Sequence, residues 1–439
     1  MVLAATVVFW LVRAGLALVP GLALRRPLKK IAAVAAMVGV TAYCAFSGWD
    51  VAAERSWIMT LIMLGAILAE RPALSLRNLA LAALIALARE PEALLGPSFQ
   101  MSFGAVAALI AAARLIPSGG RLAEAGWGGW LAGALVLPVV GTLATTVVAT
   151  LATGPFSTFH FQTINPLGVL GNALTLPLVS LVVMPAAVVG MLAYPFGLDG
   201  PVWQLMGLAV AGMLWISRWI AGLDHATMVV PASGLGTLGF LAAALLMLTL
   251  PATGLRWLGL VPAGLGLAFA AVPIRPDLYV DREGGGAALR DASGRLAVLG
   301  RPPAFVLEQW LKADGDGRAR TAPTLTAGPR CDRVGCVAEG GGVVVALVKD
   351  RRAFAEDCGR ATVVVSRLAA PPGCGARLVV DRAYLARHGA TAVRFAPEGL
   401  AVTTAHVPGD PRPWIRRAPE VQPPVTRPDE GDSAEEAPW

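Results

Sequence analysis

A chain of apolar runs, each long enough or nearly long enough to cross a bilayer, constrains this sequence more than any other feature. About twenty apolar residues span a hydrocarbon core, and runs at 1–24, 31–47, 56–69, 76–88, 98–116, 130–152, 166–193, 202–223, 229–251 and 257–273 give about ten candidates. Of the 439 residues, 56% are hydrophobic and only 15% charged, whereas a soluble domain carries about 25% charged residues. The sequence therefore predicts a polytopic α-helical membrane protein of about ten spans. The short runs at 56–69 and 76–88 read as tilted, kinked or buried among neighbours, and some of the spans as re-entrant. The long run at 166–193 is interrupted by Pro166, Pro177 and Pro185, and reads as a half-helix followed by a full span. No basic region precedes residues 1–24 and no small-residue cleavage site follows, which favours a first span over a signal peptide.

Charge orients these spans. The formal net charge of +7 is weak evidence for a nucleic-acid partner, because a membrane protein spends much of its positive charge on orientation. The strongest basic cluster, Arg25-Arg26-Pro27-Leu28-Lys29-Lys30, should be cytoplasmic. Alternation then places the loops at 70–77 and 114–129, with Arg71, Arg77, Arg114 and Arg121, on the same side. With ten crossings the N-terminus and the tail lie outside.

Residues 274–407 change character and predict a small soluble α/β or α+β domain. Strand-like alternation at 277–281 and 287–299 reads as a hairpin with a Ser-Gly turn. Ala304–Lys312 reads as a helix, and Val343–Val348, Thr362–Ser366 and Leu378–Asp381 as short β-branched strands. From 408 to 439 the chain is Pro-, Glu- and Asp-rich and reads as disordered. Four of the five cysteines, Cys331, Cys336, Cys358 and Cys374, lie in the tail. Their spacing is not a zinc pattern, and no His adjoins them, so disulfides are the better reading. Sequence proximity favours Cys331–Cys336 and Cys358–Cys374, although four cysteines allow three pairings, and disulfides put the tail outside the cytoplasm. His388 and His406 are eighteen residues apart with no clustered carboxylates, so the tail offers no metal site, no cofactor site and no catalytic constellation.

Three membrane stretches carry polar groups where an anchor would need none. In Tyr43–Trp57, Asp50 and Glu54 read as a solvated mouth with an ordinary acid–Arg pair. Arg55 opens an apolar run, so its guanidinium either stays in that pairing or points into the bundle towards a phosphate. In Gly96–Ile110, Phe99, Ser102 and Phe103 share a helix face, with Gln100 about 100° round from Phe99. Helix–helix packing is the stronger reading there; the alternative is a lining in which aromatics stack bases. Phe156, Phe159, His160, Phe161 and Gln162 read as an aromatic interfacial loop. Asn165 and Asn172 need partners, either on a neighbouring helix or along a path.

Residues 31–273 resemble the competence domain of ComEC-type DNA-uptake proteins. The resemblance rests on Tyr43…Ser47-Gly48…Arg55-Ser56, then Pro97-Ser98-Phe99-Gln100-Met101-Ser102-Phe103, then Asn165-Pro166-Leu167-Gly168…Asn172…Pro177-Leu178-Val179-Ser180…Met184-Pro185. It implies a bacterial inner-membrane channel for single-stranded transforming DNA, with Arg55, Phe99, Gln100, Ser102, Phe103, His160, Asn165 and Asn172 along its path. Arg55, Phe99, Gln100 and Asn172 are expected to share one cavity. Implied partners are single-stranded DNA, membrane lipid and other competence proteins such as a DNA receptor and a cytoplasmic helicase; a homo-oligomer stays open. Family proteins carry an N-terminal OB-like domain and a C-terminal metallo-β-lactamase-like domain proposed as a nuclease. This sequence starts within the competence domain, as an N-terminally truncated form would, and its tail has no H-x-H-x-D-H. The tail is then a degenerate metallo-β-lactamase-like domain and the chain is not an enzyme. The competing reading is a truncated, non-conducting accessory or structural membrane protein.

Overall fold

The computed structural model describes residues 1–18, 27–115, 137–273 and 275–407. Arg25, Arg26, Arg121 and the stretch from 408 onward lie outside the described residues. The chain divides into two compact units, Met1–Ile274 with Lys312–Gly317, and Arg275–Leu311 with Arg318–Trp439.

The first unit is helical: α1 (Val2–Ala17), α2 (Leu28–Phe46), α3 (Val51–Leu68), α4 (Leu76–Arg89), α5 (Pro97–Ala113), α6 (Leu137–Phe161), α7 (Gly168–Leu178), α8 (Met184–Ala193), α9 (Gly200–Ala221), α10 (Leu235–Thr249) and α11 (Leu260–Ala271). Among the described residues six helical stretches are long and apolar enough to cross a membrane, and three shorter apolar helices accompany them. The run at 56–69 forms a full-length candidate, because Val51–Ser56 join its helix. The run at 76–88 forms only the 14-residue α4, about 21 Å long, which is less than a bilayer core.

Small residues set the helix contacts. Ala5, Ala33, Ala36 and Val40 pack with Leu64 where α1, α2 and α3 meet. Without a hydrophobic driving force between helices in lipid, such close backbone approach supplies the attraction. Polar groups inside the bundle are mostly satisfied locally: Thr60 Oγ1 donates to the Ser56 carbonyl at 2.6 Å and Thr249 Oγ1 to the Leu245 carbonyl at 2.7 Å. Trp57 Nε1 donates to Thr41 Oγ1 at 2.9 Å and ties α3 to α2. At the other end of that pair Lys30 Nζ lies 2.7 Å from Glu70 Oε1, and the contact lowers the Glu70 carboxyl below its ordinary pKa. Lys30, in the first turn of α2, and Glu70, just past α3, thus meet at one end of that helix pair.

The run at 166–193 departs from expectation. It is one helical stretch, Gly168–Phe196, in which a π-helical turn, Val179–Val183, joins α7 to α8. Pro177 and Pro185 each remove a backbone donor, and widening the turn between them lets the chain stay helical. A hydrocarbon environment favours this over a break, since freed carbonyls would have no water. A second correction concerns Phe156–Phe161, which form the last turns of α6 and not a loop. A two-residue strand after them, β1 (Thr163–Ile164), pairs antiparallel with β2 (Met228–Val229).

The second unit is a sandwich of two five-stranded sheets. One is antiparallel throughout, in the order β12 (Gly399–Thr404), β11 (Thr391–Ala396), β3 (Leu278–Val280), β4 (Gly286–Arg290), β5 (Leu296–Gly300). The other runs β10 (Leu378–Val380), β9 (Val363–Ser366), β8 (Val343–Val348), β7 (Gly335–Gly340), β6 (Arg330–Cys331), with β8, β9 and β10 parallel. Strand alternation divides the core into three layers. Leu278, Val280, Leu289, Val345, Leu347, Val363 and Val365 meet between the sheets. Tyr279, Ala288 and Val298 face outward and are covered by Leu307 and Leu311 of α12 (Ala304–Asp314). Ala346, Val348 and Val364 are covered on the far side by Phe354 of α13 (Phe354–Arg360). Both faces of the central strands are buried, which is why β8 and β9 read as unbroken Val-rich runs. The short α14 (Arg382–His388) sends Leu385 into the core between the sheets.

Candidate functional site

Arg55 sits one turn into α3, whose Val51, Glu54, Arg55 and Ile58 line a cavity of about 140 Å³. The facing wall is Ala86, Arg89, Glu90 and Ala93, from the end of α4 onward. The α3 wall uses the i, i+3, i+4, i+7 spacing of one helix face, whereas the facing wall passes from the last turn of α4 through Glu90 into the 3-10 turn Pro91–Leu95. Arg89 Nη2 lies 2.6 Å from Glu54 Oε1, so the acid–Arg pair exists across two helices. Glu54 Oε1 nevertheless accepts no hydrogen bond of good geometry, so the contact is an ion pair only. Arg55 is not in that pairing: its Nε and Nη1 are buried with no hydrogen-bond partner among the described residues. A buried donor left unmade costs about 1–3 kcal/mol, more when charged. An oxyanion that reached this guanidinium would supply an acceptor that the surrounding residues do not. The cavity also has room for it, since one water takes about 30 Å³ of liquid.

The Pro97–Phe103 motif does something different from a lining. Pro97 starts α5, at a position where its missing N–H is no loss. Phe99 and Phe103 are 7% and 8% exposed and stack on each other with centroids 4.3 Å apart. They pack with Ile58, Ala82 and Ala86. They are core, and bases cannot stack on them. Gln100 bridges three segments: its Nε2 donates to the Leu94 carbonyl at 3.0 Å, and its Oε1 lies 2.9 Å from His160 Nε2 on α6. Because the amide nitrogen is committed to Leu94, the oxygen faces the imidazole, and His160 donates through Nε2–H. Ser102 is half-buried on α5.

Asn165 is exposed, and its backbone carbonyl accepts from Gly168 N at 3.0 Å as α7 begins. Asn172 is also exposed. The Arg55 cavity contains none of Phe99, Gln100 or Asn172, so the expected single cavity is not what gathers these residues. The structure brings together Gln100 with His160, and Phe99 with Phe103. The second wall around Arg89 was overlooked in the sequence; positions 51, 54, 55 and 58 share a helix face, but the facing wall leaves its helix at Glu90 and carries no such signal.

In the second unit Cys331 pairs with Cys336 across the β6–β7 hairpin, and Cys358 with Cys374. Among the described residues no three His, Cys, Asp or Glu side chains form a metal-binding group. Asp281 is buried, and burial raises its carboxyl above the ordinary pKa against the pull of backbone donors in the turn it closes. Its Oδ1 accepts from Glu283 N at 3.1 Å and Gly285 N at 3.0 Å.

No curated protein and no solved structure shows a match to this chain. The family model described as competence protein matches residues 1–255, more than half of the 439. That stretch contains the three motifs and the Arg55 cavity, within a bundle of membrane-length helices. On that match the chain belongs to the competence protein family.

Proposed function

We propose that the helical unit is a channel carrying single-stranded DNA across the bacterial inner membrane during natural transformation. The observation that carries the reading is Arg55, whose buried Nε and Nη1 have no partner in a cavity between α3 and α4. A phosphodiester oxygen pair fits a guanidinium fork, and a phosphate is the group that every nucleotide of a strand supplies. Family membership supports a role in DNA uptake. Six long and three shorter apolar helices give nine candidates among the described residues, and α4 is the tenth run; about ten crossings remain our reading. In that topology the second unit lies in the periplasm, where its two disulfides persist. Its four layers, helix, sheet, sheet, helix, support a metallo-β-lactamase-like domain that no longer cuts DNA. Strand degradation and the pulling force then belong to other competence proteins.

Transformation frequency with the full-length protein tests the proposal. Arg55→Ala removes the cation and Arg55→Lys keeps charge without the bidentate fork. Loss of one charge-assisted hydrogen bond, about 1.5–3 kcal/mol, corresponds to a drop of about 10- to 150-fold in Arg55→Ala. Arg55→Lys should recover only part of it. Arg55→Ala that is expressed and folded like the parent, and transforms equally well, would refute the phosphate role.

A further inference from the structure

The second unit holds a cavity of about 690 Å³ at the end of the sandwich where β5, β8 and β9 finish. Its cations come from three separate strand ends: Arg301 follows β5, Lys349 follows β8 and Arg367 follows β9. No carboxylate lines it. A neighbouring cavity of about 600 Å³ makes the contrast, since Asp332, Glu356 and Asp357 stand among its arginines. Elsewhere in the unit arginines are paired, Arg290 with Asp277 and Arg360 with Glu356. Arg301 and Arg367 form no ion pair with a carboxylate among the described residues, and Lys349 has only Asp332 acting on it at longer range; all three are exposed.

The cleft's floor is built for close approach. Gly284 and Gly300 adopt φ of +68° and +73°, conformations that side chains rarely take. A Cβ on Gly285 would stand 2.5 Å from Arg367 Nη2, so the guanidinium lies directly over bare backbone. Lys349 is held by Asp332 O and Cys336 Sγ, each 3.4 Å from Nζ, so the Cys331–Cys336 hairpin forms one wall. Like charges gathered at one solvent-open cleft focus a positive potential that an entering anion relieves.

We propose that this cleft binds successive phosphates of a single nucleic-acid strand through Arg301, Lys349 and Arg367. The volume far exceeds one phosphate, and three cations on three elements suit a repeating charge. No aromatic side chain lines the cleft, so the strand is held by its backbone and not by its bases. The wall residues Val298, Leu347 and Val348 are buried, so no apolar rim enters a bilayer, which argues against a lipid surface. This inference does not depend on Arg55.

The test uses the full chain in nanodiscs of neutral lipid with a fluorescent single-stranded oligonucleotide. Each phosphate contact to a single strand contributes about 0.7 to the slope of log affinity against log salt. The triple variant Arg301→Ala, Lys349→Ala, Arg367→Ala should therefore flatten the slope by about two. Arg301→Lys with Arg367→Lys should keep the slope, and pyrophosphate should compete in the parent. Arg55→Ala, measured alongside, should leave the cleft's share of the slope in place, which separates this failure from failure of the channel reading. An unchanged slope in the triple variant, with both disulfides intact by mass, overturns the proposal. So does loss of pyrophosphate binding alone with oligonucleotide binding untouched, or capture of anionic vesicles in preference to the oligonucleotide.

Discussion

Replacing Gln100 should uncouple three segments of the membrane unit at once. Its amide joins the carbonyl of Leu94, its own helix α5, and His160 on α6. Each neutral hydrogen bond contributes about 0.5–1.5 kcal/mol net, so Gln100→Met, which keeps volume and loses both bonds, should cost about 1–3 kcal/mol. His160→Ala loses one bond and some packing against Phe159, whose ring lies 5.1 Å away edge-on. The double variant should then be less destabilised than the sum by about 0.6 kcal/mol, and by no more than about 1.7. His160→Gln supplies a donor of similar reach and should retain much of the coupling. The four proteins would be compared by SDS titration in mixed micelles, reading the surviving membrane unit by pulse proteolysis. A coupling below about 0.3 kcal/mol, with both single variants as stable as the parent, would refute the bridge and the Nε2–H assignment.

Three further outcomes follow from the packing. Gly266 on α11 approaches Leu241 so closely that a Cβ would stand 2.7 Å from Leu241 Cγ, whereas Gly264 has nothing within 4 Å. Gly266→Val should destabilise by about 1–3 kcal/mol in the same titration and Gly264→Val should be nearly silent. In the second unit, opening Cys358–Cys374, 16 residues apart, should cost about 3 kcal/mol by loop closure. Opening Cys331–Cys336, 5 apart, should cost about 1 kcal/mol less, read by hydrogen exchange of the sheets with serine variants. Burial raises the folded pKa of Asp281, so its contribution is most favourable below the ordinary carboxylate pKa and is lost as pH rises through the raised value. Asp281→Asn, which keeps an acceptor for Glu283 N and Gly285 N, should therefore protect the 281–286 turn at neutral pH at least as well as Asp. Its advantage should vanish in acid, and faster exchange than the parent at pH 7 would contradict this.

The apolar runs of residues 1–273 carried the membrane class and most helix positions by themselves, because lipid demands a span length that any neighbouring fold must respect. The motifs around Tyr43, Pro97 and Asn165 carried the family, which fixed spacing makes readable without structure. β8 and β9 were legible too, since strands buried on both faces leave a continuous Val run. β11 and β12 were not read, because β11 finds its partner β3 more than a hundred residues away and β12 pairs only with β11. Tertiary structure decided everything that depends on which faces meet. Phe99 and Phe103 look like a lining in one dimension, and became core only because α5 turns them onto α3 and α4. Arg55 and Glu54 are adjacent in sequence, yet only the arrival of Arg89 from α4 claimed the acid and left the guanidinium without a partner. Arg301, Lys349 and Arg367 carry no local signal at all. They converge because strands distant in sequence end at the same edge of a sandwich, and such convergence is a property of the sheet order, not of any stretch of sequence.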